Sequence, residues 1–134
     1  MAYEESLRSI SLNADSSLAV YTGVPGMLGS PSPNYGRQYR FVKVTGAHQV
    51  GLATADADAC VGVMQNKPQV QGQAATVAIH GVSMVMAGAA FDAGDAVGPD
   101  SEGRAVTTAG TARGIALAAA GQANELVPVL LLVS

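Results

Sequence analysis

The sequence predicts a mainly β domain, a small barrel or sandwich, with an extended N-terminal arm and at most one or two short helices. Three observations lead there. Between Ala75 and Val106 apolar residues alternate with period two, as short half-buried strands require. Turn residues punctuate the same stretch: His80-Gly81, Gly94-Asp95 and Pro99-Asp100-Ser101-Glu102-Gly103. The 134 residues include 16 glycines, no tryptophan and 4% aromatic side chains, so the core is built from small residues. A single domain of this length buries roughly two-thirds of its unfolded surface, but each small side chain removes little area from water. Such a body is only modestly stable alone, which favours self-association or docking onto something larger.

The chain opens with an apolar pattern at Leu7, Ile10, Leu12, Leu18, Val20 and Tyr21, and Leu18, Val20 and Thr22 alternate with Ala19 and Tyr21 as in a short strand. In Gly23–Gly36 half of the fourteen positions are Gly or Pro, which suits a tether and neither helix nor sheet. The expected division is therefore an arm and tether over residues 1–36 and a globular body over 37–134. The body starts with Tyr39–Thr45, rich in β-branched and aromatic residues. After a turn at Gly46-Ala47, strands follow at His48–Thr54 and Cys60–Met64. Two more are expected at Ala75–Ile79 and Val82–Ala87, separated by a turn at His80-Gly81. Short strands at Ala96-Val97, Arg104–Val106 and Gly114–Leu117 come next. Ala53–Ala59 and Ala112–Ala120 are the places where composition allows a short helix.

The last strand spans Leu126–Val133. Pro128 cannot donate to a ladder, which puts this strand at an edge or Pro128 at a bulge. Val127, Val129, Leu130, Leu131 and Leu132 make both of its faces apolar, and an edge of that kind needs a cover. A neighbouring subunit is the expected one. The body also echoes itself. Gly46–Gln65 resembles Ser101–Ala118, and Gly72–Ile79 resembles Gly121–Val129, which suggests two copies of one β unit packed together.

The net charge is −3 and charged residues make up 13% of the chain, without the basic surplus that phosphate contacts demand. Arg37, Arg40 and Lys43 cluster, but no row of aromatics interleaves with them, and they read as a strand face or interface rim. No nucleic-acid partner is expected. The start, Met1-Ala-Tyr-Glu-Glu, shows no secretory signal. The eight-residue apolar run Leu126–Val133 is far below the ~20 residues that span a bilayer as a helix. Cytoplasmic synthesis and no membrane partner are expected.

The motifs of phosphate binding, serine hydrolysis and zinc chemistry are missing. His48 and His80 stand among strand residues with no carboxylate at a telling spacing, and the single Cys60 opens an apolar strand as a small core residue. Asp56 and Asp58 lie two apart among alanines that offer few further oxygen ligands, while Asp92, Asp95 and Asp100 stand beside Gly or Pro, where Asp serves turns. The expectation is no enzyme, no catalytic residue, no metal and no cofactor.

The progression from Val82–Gly88 through MAGAAFDAGDAV, the turn Asp100-Ser-Glu-Gly-Arg, Gly114-Ile-Ala-Leu and a terminal apolar strand resembles the capsid decoration, or cement, proteins of tailed double-stranded-DNA bacteriophages. The likeness covers roughly residues 40–134 and excludes the Pro/Gly-rich tether. It implies a β-tulip-like or barrel fold and homotrimers bound to the outer surface of the assembled head. The implied partners are the major capsid protein and further copies of the chain. Gly88, Gly94, Asp95, Gly103 and Gly114 match the family's turn pattern, where their role is structural. A capsid-binding role for the arm residues and a subunit interface through the last strand accord with this. The competing expectation is a tail or fibre module that binds host-surface glycan.

Overall fold

The computed structural model describes residues 7–18, 37–55, 58–68, 71–108 and 110–131. These form nine strands: β1 (Leu7–Ala14), β2 (Phe41–Gly46), β3 (Gln49–Leu52), β4 (Cys60–Met64), β5 (Ala74–Met86), β6 (Ala96–Pro99), β7 (Ala105–Thr107), β8 (Gly114–Ala116) and β9 (Leu126–Leu131). Neither Ala-rich piece is helical where described; Ala116 lies in β8 and Ala120 bridges to Phe91. The expected mainly β barrel is what the chain adopts.

The strands run in the order β1-β3-β2-β4-β5-β9-β8-β6-β7, and β1 also pairs with β5. That second pairing closes β1, β3, β2, β4 and β5 into a five-stranded barrel. The rest repeats the plan. β6 lies between β7 and β8 as β2 lies between β3 and β4, and β8 leads to β9 as β4 leads to β5. The end of β1 pairs parallel with β3 at Asn13↔Gln49 and Ala14↔Val50. Just past β5, Ala87 makes the equivalent parallel bridge to Ala105 of β7. The second half of β5 thus does for the second unit what β1 does for the first, and the internal echo in the sequence is a duplicated strand order.

β5 belongs to both units, which corrects the expected division at His80-Gly81. Gly81 has φ 103°, a conformation glycine adopts without strain, and it sits inside one thirteen-residue strand. It pairs with Leu7 of β1 on one edge and Leu131 of β9 on the other. Two residues earlier, at Ile79, the register with β1 slips by a bulge. A bulge beside a glycine turns the strand from one barrel into the next without ending it.

Each unit has its own core. Val42, Val50, Leu52, Met64, Ala75 and Val77 fill the first, together with Ala14 and Leu18. Val85, Phe91, Val97, Ala105, Ala116, Val127, Val129 and Leu131 lie in the second, which extends through Phe41, Ala53, Val63 and Ala78 to the junction. Neighbours in sequence therefore serve different cores: Phe41 and Val42, Val63 and Met64, Val77 and Ala78 each point to opposite sides of their strand. Leu18 follows β1 and Phe91 follows β5, so each plugs its own unit. Gly103 ties the units together. Its carbonyl accepts the Phe41 N–H at 2.8 Å, and a Cβ there would lie 2.7 Å from Leu52 Cδ1 with φ at 73°.

Leu7–Leu18 was expected in an arm ahead of the body. The structure sets it into the body instead, because β1 supplies the backbone that closes the first barrel. Leu18 is 1% exposed and Ile10 is 41% exposed. Two substitutions test this. Leu18→Ala should cost about 2–5 kcal/mol in urea unfolding, as a buried Leu truncation does, whereas Ile10→Ala should stay within about 0.5 kcal/mol. Equal small effects would mean that the segment is not built into the fold.

Candidate functional site

Alternation along β9 decides which of its apolar residues are available. Val127, Val129 and Leu131 are buried at 3%, 0% and 6% exposure, while Leu126 and Leu130 stand 44% and 40% exposed. Of the residues expected at a subunit interface, Val127, Val129 and Leu131 are thus core of their own chain and Leu130 faces out. Leu132 lies outside the described residues. The strand is no edge either, since β5 and β8 flank it. Pro128 fits there for a stated reason. Its carbonyl accepts the Leu117 N–H at 2.9 Å, so its hydrogen-bonding side points past the end of β8, and the absent N–H costs the β5–β9 ladder nothing.

Leu130 belongs to a continuous apolar face. Registers place Val82, Leu130, Ile115 and Ala96 in one row across β5, β9, β8 and β6. Met84, Pro128 and Leu117 make a second row, and Met86 with Leu126 a third. Met84 and Leu117 are exposed, and no charged residue occurs in the three rows. On the opposite side of β5 the buried positions are Ser83 and Val85, continued by Ala87 just past its end. Ser83, 2% exposed, is satisfied by Gln65 Nε2 donating to its Oγ at 2.9 Å and by its own donation to the Met84 carbonyl. The bulkier set, Val82, Met84 and Met86, is the one turned outward. A monomer gains nothing from presenting such a face to water, and an apolar patch of this kind marks an interaction surface. Met84, Leu117 and Leu126 were not singled out from the sequence. The signal was present in β5, where both parities are largely apolar although one alone suffices for a core.

A cleft of about 510 Å³ opens where the two units meet. Ile10, Val61, Ile79 and Leu131 give it apolar walls, with Arg8, His80 and Arg113 around them and Cys60 inside. Burial pushes the Cys60 thiol up to about 11, against a smaller opposing effect of Arg113. The carboxylate of Asp58 is held low, first by the Thr54 backbone N–H and also by Lys43, whose Nζ lies 3.2 Å away, and by the Ala55 N–H. Asp58 is thus a loop organiser, and Asp56 lies outside the described residues. His80 is exposed on β5, and His48, with φ 51°, sits in the β2–β3 turn. Among the described residues no three His, Cys, Asp or Glu side chains gather as a metal site.

The residues expected in turns are spread over the second unit. Gly94 and Asp95 turn the chain before β6, where Asp95 Oδ2 accepts the Asp92 N–H at 3.0 Å. Gly88 packs beside Asp100, and Gly114 lies in β8 against Val129. Asp100 Oδ1 accepts the N–H groups of Glu102 and Arg104 at 2.8 and 2.9 Å, which shapes the loop ending at Gly103. Of the expected capsid-binding arm, Ile10 is outward, Leu12 packs against the first core and Leu18 is inside it. Leu7 pairs with Gly81, and Val20 and Tyr21 lie outside the described residues.

Comparison with known proteins gives two findings. A family model described as phage cement protein matches residues 37–131. The crystal structure of the head fiber gp8.5 N base of bacteriophage phi29 is similar, with a TM-score of 0.59 and 19% identity over 95% of each chain. At that identity the likeness speaks for the fold. No curated protein matches the chain.

The raised Cys60 thiol has a consequence with a definite sign. Its ordinary value here is 9.0 and its folded value about 11, so the folded chain keeps a proton that the unfolded chain releases. The resulting stabilisation is complete below about pH 9 and lost as pH rises to about 11. Comparing urea midpoints of the native chain and Cys60→Ala across that range should show the steeper alkaline fall in the native chain. Parallel curves would contradict the buried thiol.

Proposed function

This chain belongs to the phage cement protein family, and from that premise we propose that it binds the outer surface of an assembled phage head as a homotrimer and stabilises the shell. The family is one of structural head proteins, and the chain is a head-associated protein. The observation that carries the finer reading is the uncharged outward face of β5, β9 and β8. Among the described residues Met84, Leu117, Leu126 and Leu130 of this face stay exposed, and burying it against protein is worth about 25 cal/mol per Å² of apolar area. Copies of the chain are its proposed cover. This revises the subunit interface to Leu130 with Met84, Leu117 and Leu126, in place of the buried residues of β9.

Three copies on one trimer bind a shell multivalently, so modest contacts by each add up to tight capture. A trimer that recognises the assembled shell and not its dispersed subunits stabilises the shell by mass action. Ile10 remains a proposed capsid contact from the N-terminal segment, since it is outward on β1. The major capsid protein is the proposed partner.

Adjacent residues of β9 provide the test. Leu130→Asp should abolish self-association in analytical ultracentrifugation and reduce co-sedimentation with heads, while thermal unfolding shifts by only a few degrees. Val129→Asp places a charge in the core and should unfold the chain outright. A native chain that is monomeric at all concentrations and still binds heads would remove the homotrimer from this reading.

A further inference from the structure

Resting on the homotrimer reading, we infer that the copies exchange β1, so that the first barrel of each is closed by the β1 of a neighbour. β1 fills a defined slot. Its backbone runs antiparallel along β5 from Leu7↔Gly81 to Asn13↔Ala74 and meets β3 in parallel at Asn13↔Gln49 and Ala14↔Val50. Ala14 and Leu18, each 1% exposed, complete the first core, and Ser17 Oγ accepts the Leu52 N–H at 2.8 Å. All of these partners lie beyond residue 36. A β1 supplied by another copy therefore makes the same hydrogen bonds and buries the same side chains as the chain's own.

Two observations favour a neighbour as the donor. The first is the length of chain between β1 and β2. Ser17 is bonded to β3 at Leu52, whose partner in β2 is Val42, and Tyr39, leading into β2, donates its N–H to the Met64 carbonyl at 2.8 Å. Both ends of the connection thus lie on one barrel, about 10 Å apart across the sheet, a gap that about 4–6 residues commonly bridge. The chain places eighteen there, positions 19–36. At about 3.3 Å per residue they reach up to about 60 Å, far beyond the ~14 Å radius of gyration of a domain this size. The second observation is the position of β1. Leu7 pairs with Gly81, and the next residue of β5, Val82, begins the outward apolar face that copies of the chain are proposed to cover. The start of β1 therefore lies at the margin of the subunit contact, where a neighbour's β5 is nearest. Closure cost grows only slowly with loop length, so a neighbour's β1 competes with the chain's own at comparable effective concentration. Exchange adds backbone hydrogen bonds between copies whose small-residue cores bury little area.

Disulfide trapping reads which chain supplies the strand. Thr76 turns its N–H and carbonyl toward Asn66 and Gln65. Ser11↔Thr76 is therefore a pair without backbone hydrogen bonds across it, the close pairing that a disulfide can bridge. In a Cys60→Ala background, which removes the chain's one cysteine, the variant carrying Ser11→Cys and Thr76→Cys is oxidised and run on a non-reducing denaturing gel. Exchange should give covalent dimers and trimers, at two and three times the chain mass, that return to the single chain on reduction. Asn13→Cys with Ala74→Cys, at two exposed positions of the same register, should give the same ladder, and circular dichroism selects the variant that folds. Disulfide confined to the single chain, in protein that sediments as a trimer, would overturn the exchange and leave the homotrimer standing. Thiols that stay free in a folded variant would overturn the pairing on which exchange depends. A protein that sediments as a monomer would end the homotrimer reading, and this inference with it.

Discussion

The structure depends on a single strand being hydrogen-bonded along both edges by two different units. The first half of β5 is held by β1 and β4, and the second half by β9. With a core of Ala, Val and a few larger residues, side-chain burial alone supplies modest stability. Backbone closure supplies the rest of the definition: when β1 joins β3 to β5, the first barrel loses the open edges that would otherwise pair with foreign strands. The bridge from Ala87 to Ala105 gives the second unit a weaker version of the same closure. Gly81 and the bulge at Ile79 let one strand serve both.

That architecture explains why the outward side of β5, β9 and β8 is free to be apolar. What these strands give to the core comes from their inner parity: Val85, Val127, Val129, Leu131 and Ala116. The outer parity carries Met84, Leu126, Leu130 and Leu117 without serving either core. Residues that stabilise the fold and residues available for docking thus alternate along the same strands. The cleft is placed differently. It lies beside the stretch of β5 between Ala78, where the ladder to β4 stops, and Gly81, where the ladder to β9 starts.

Much of this was legible in the sequence. β4 has the bounds its apolar run predicts, β6 to β9 fall at the expected segments, and the duplicated strand order matches the echo between Gly46–Gln65 and Ser101–Ala118. Continuity of β5 was not legible, because His80-Gly81 has the composition of a turn and only the neighbouring strands reveal it as a joint. Period two identifies a strand but not which parity faces in, and in β9 both are apolar. So Val127, Val129 and Leu131 could not be told from Leu126 and Leu130. The role of β1 was hidden for another reason. Leu7–Ala14 is separated from the body by a Pro/Gly-rich stretch, and closure is a long-range pairing that no local pattern records. Cleft residues come from six separate segments and meet only in the fold.

The central claim is that the outer face of β5, β9 and β8 exists to be covered by protein on a phage head. Cryo-electron microscopy of heads with and without the bound chain tests it most directly. The account predicts added density on the outer surface in which Met84, Leu117, Leu126 and Leu130 are buried against another copy or the shell. Density in which that face looks out into solvent would contradict it.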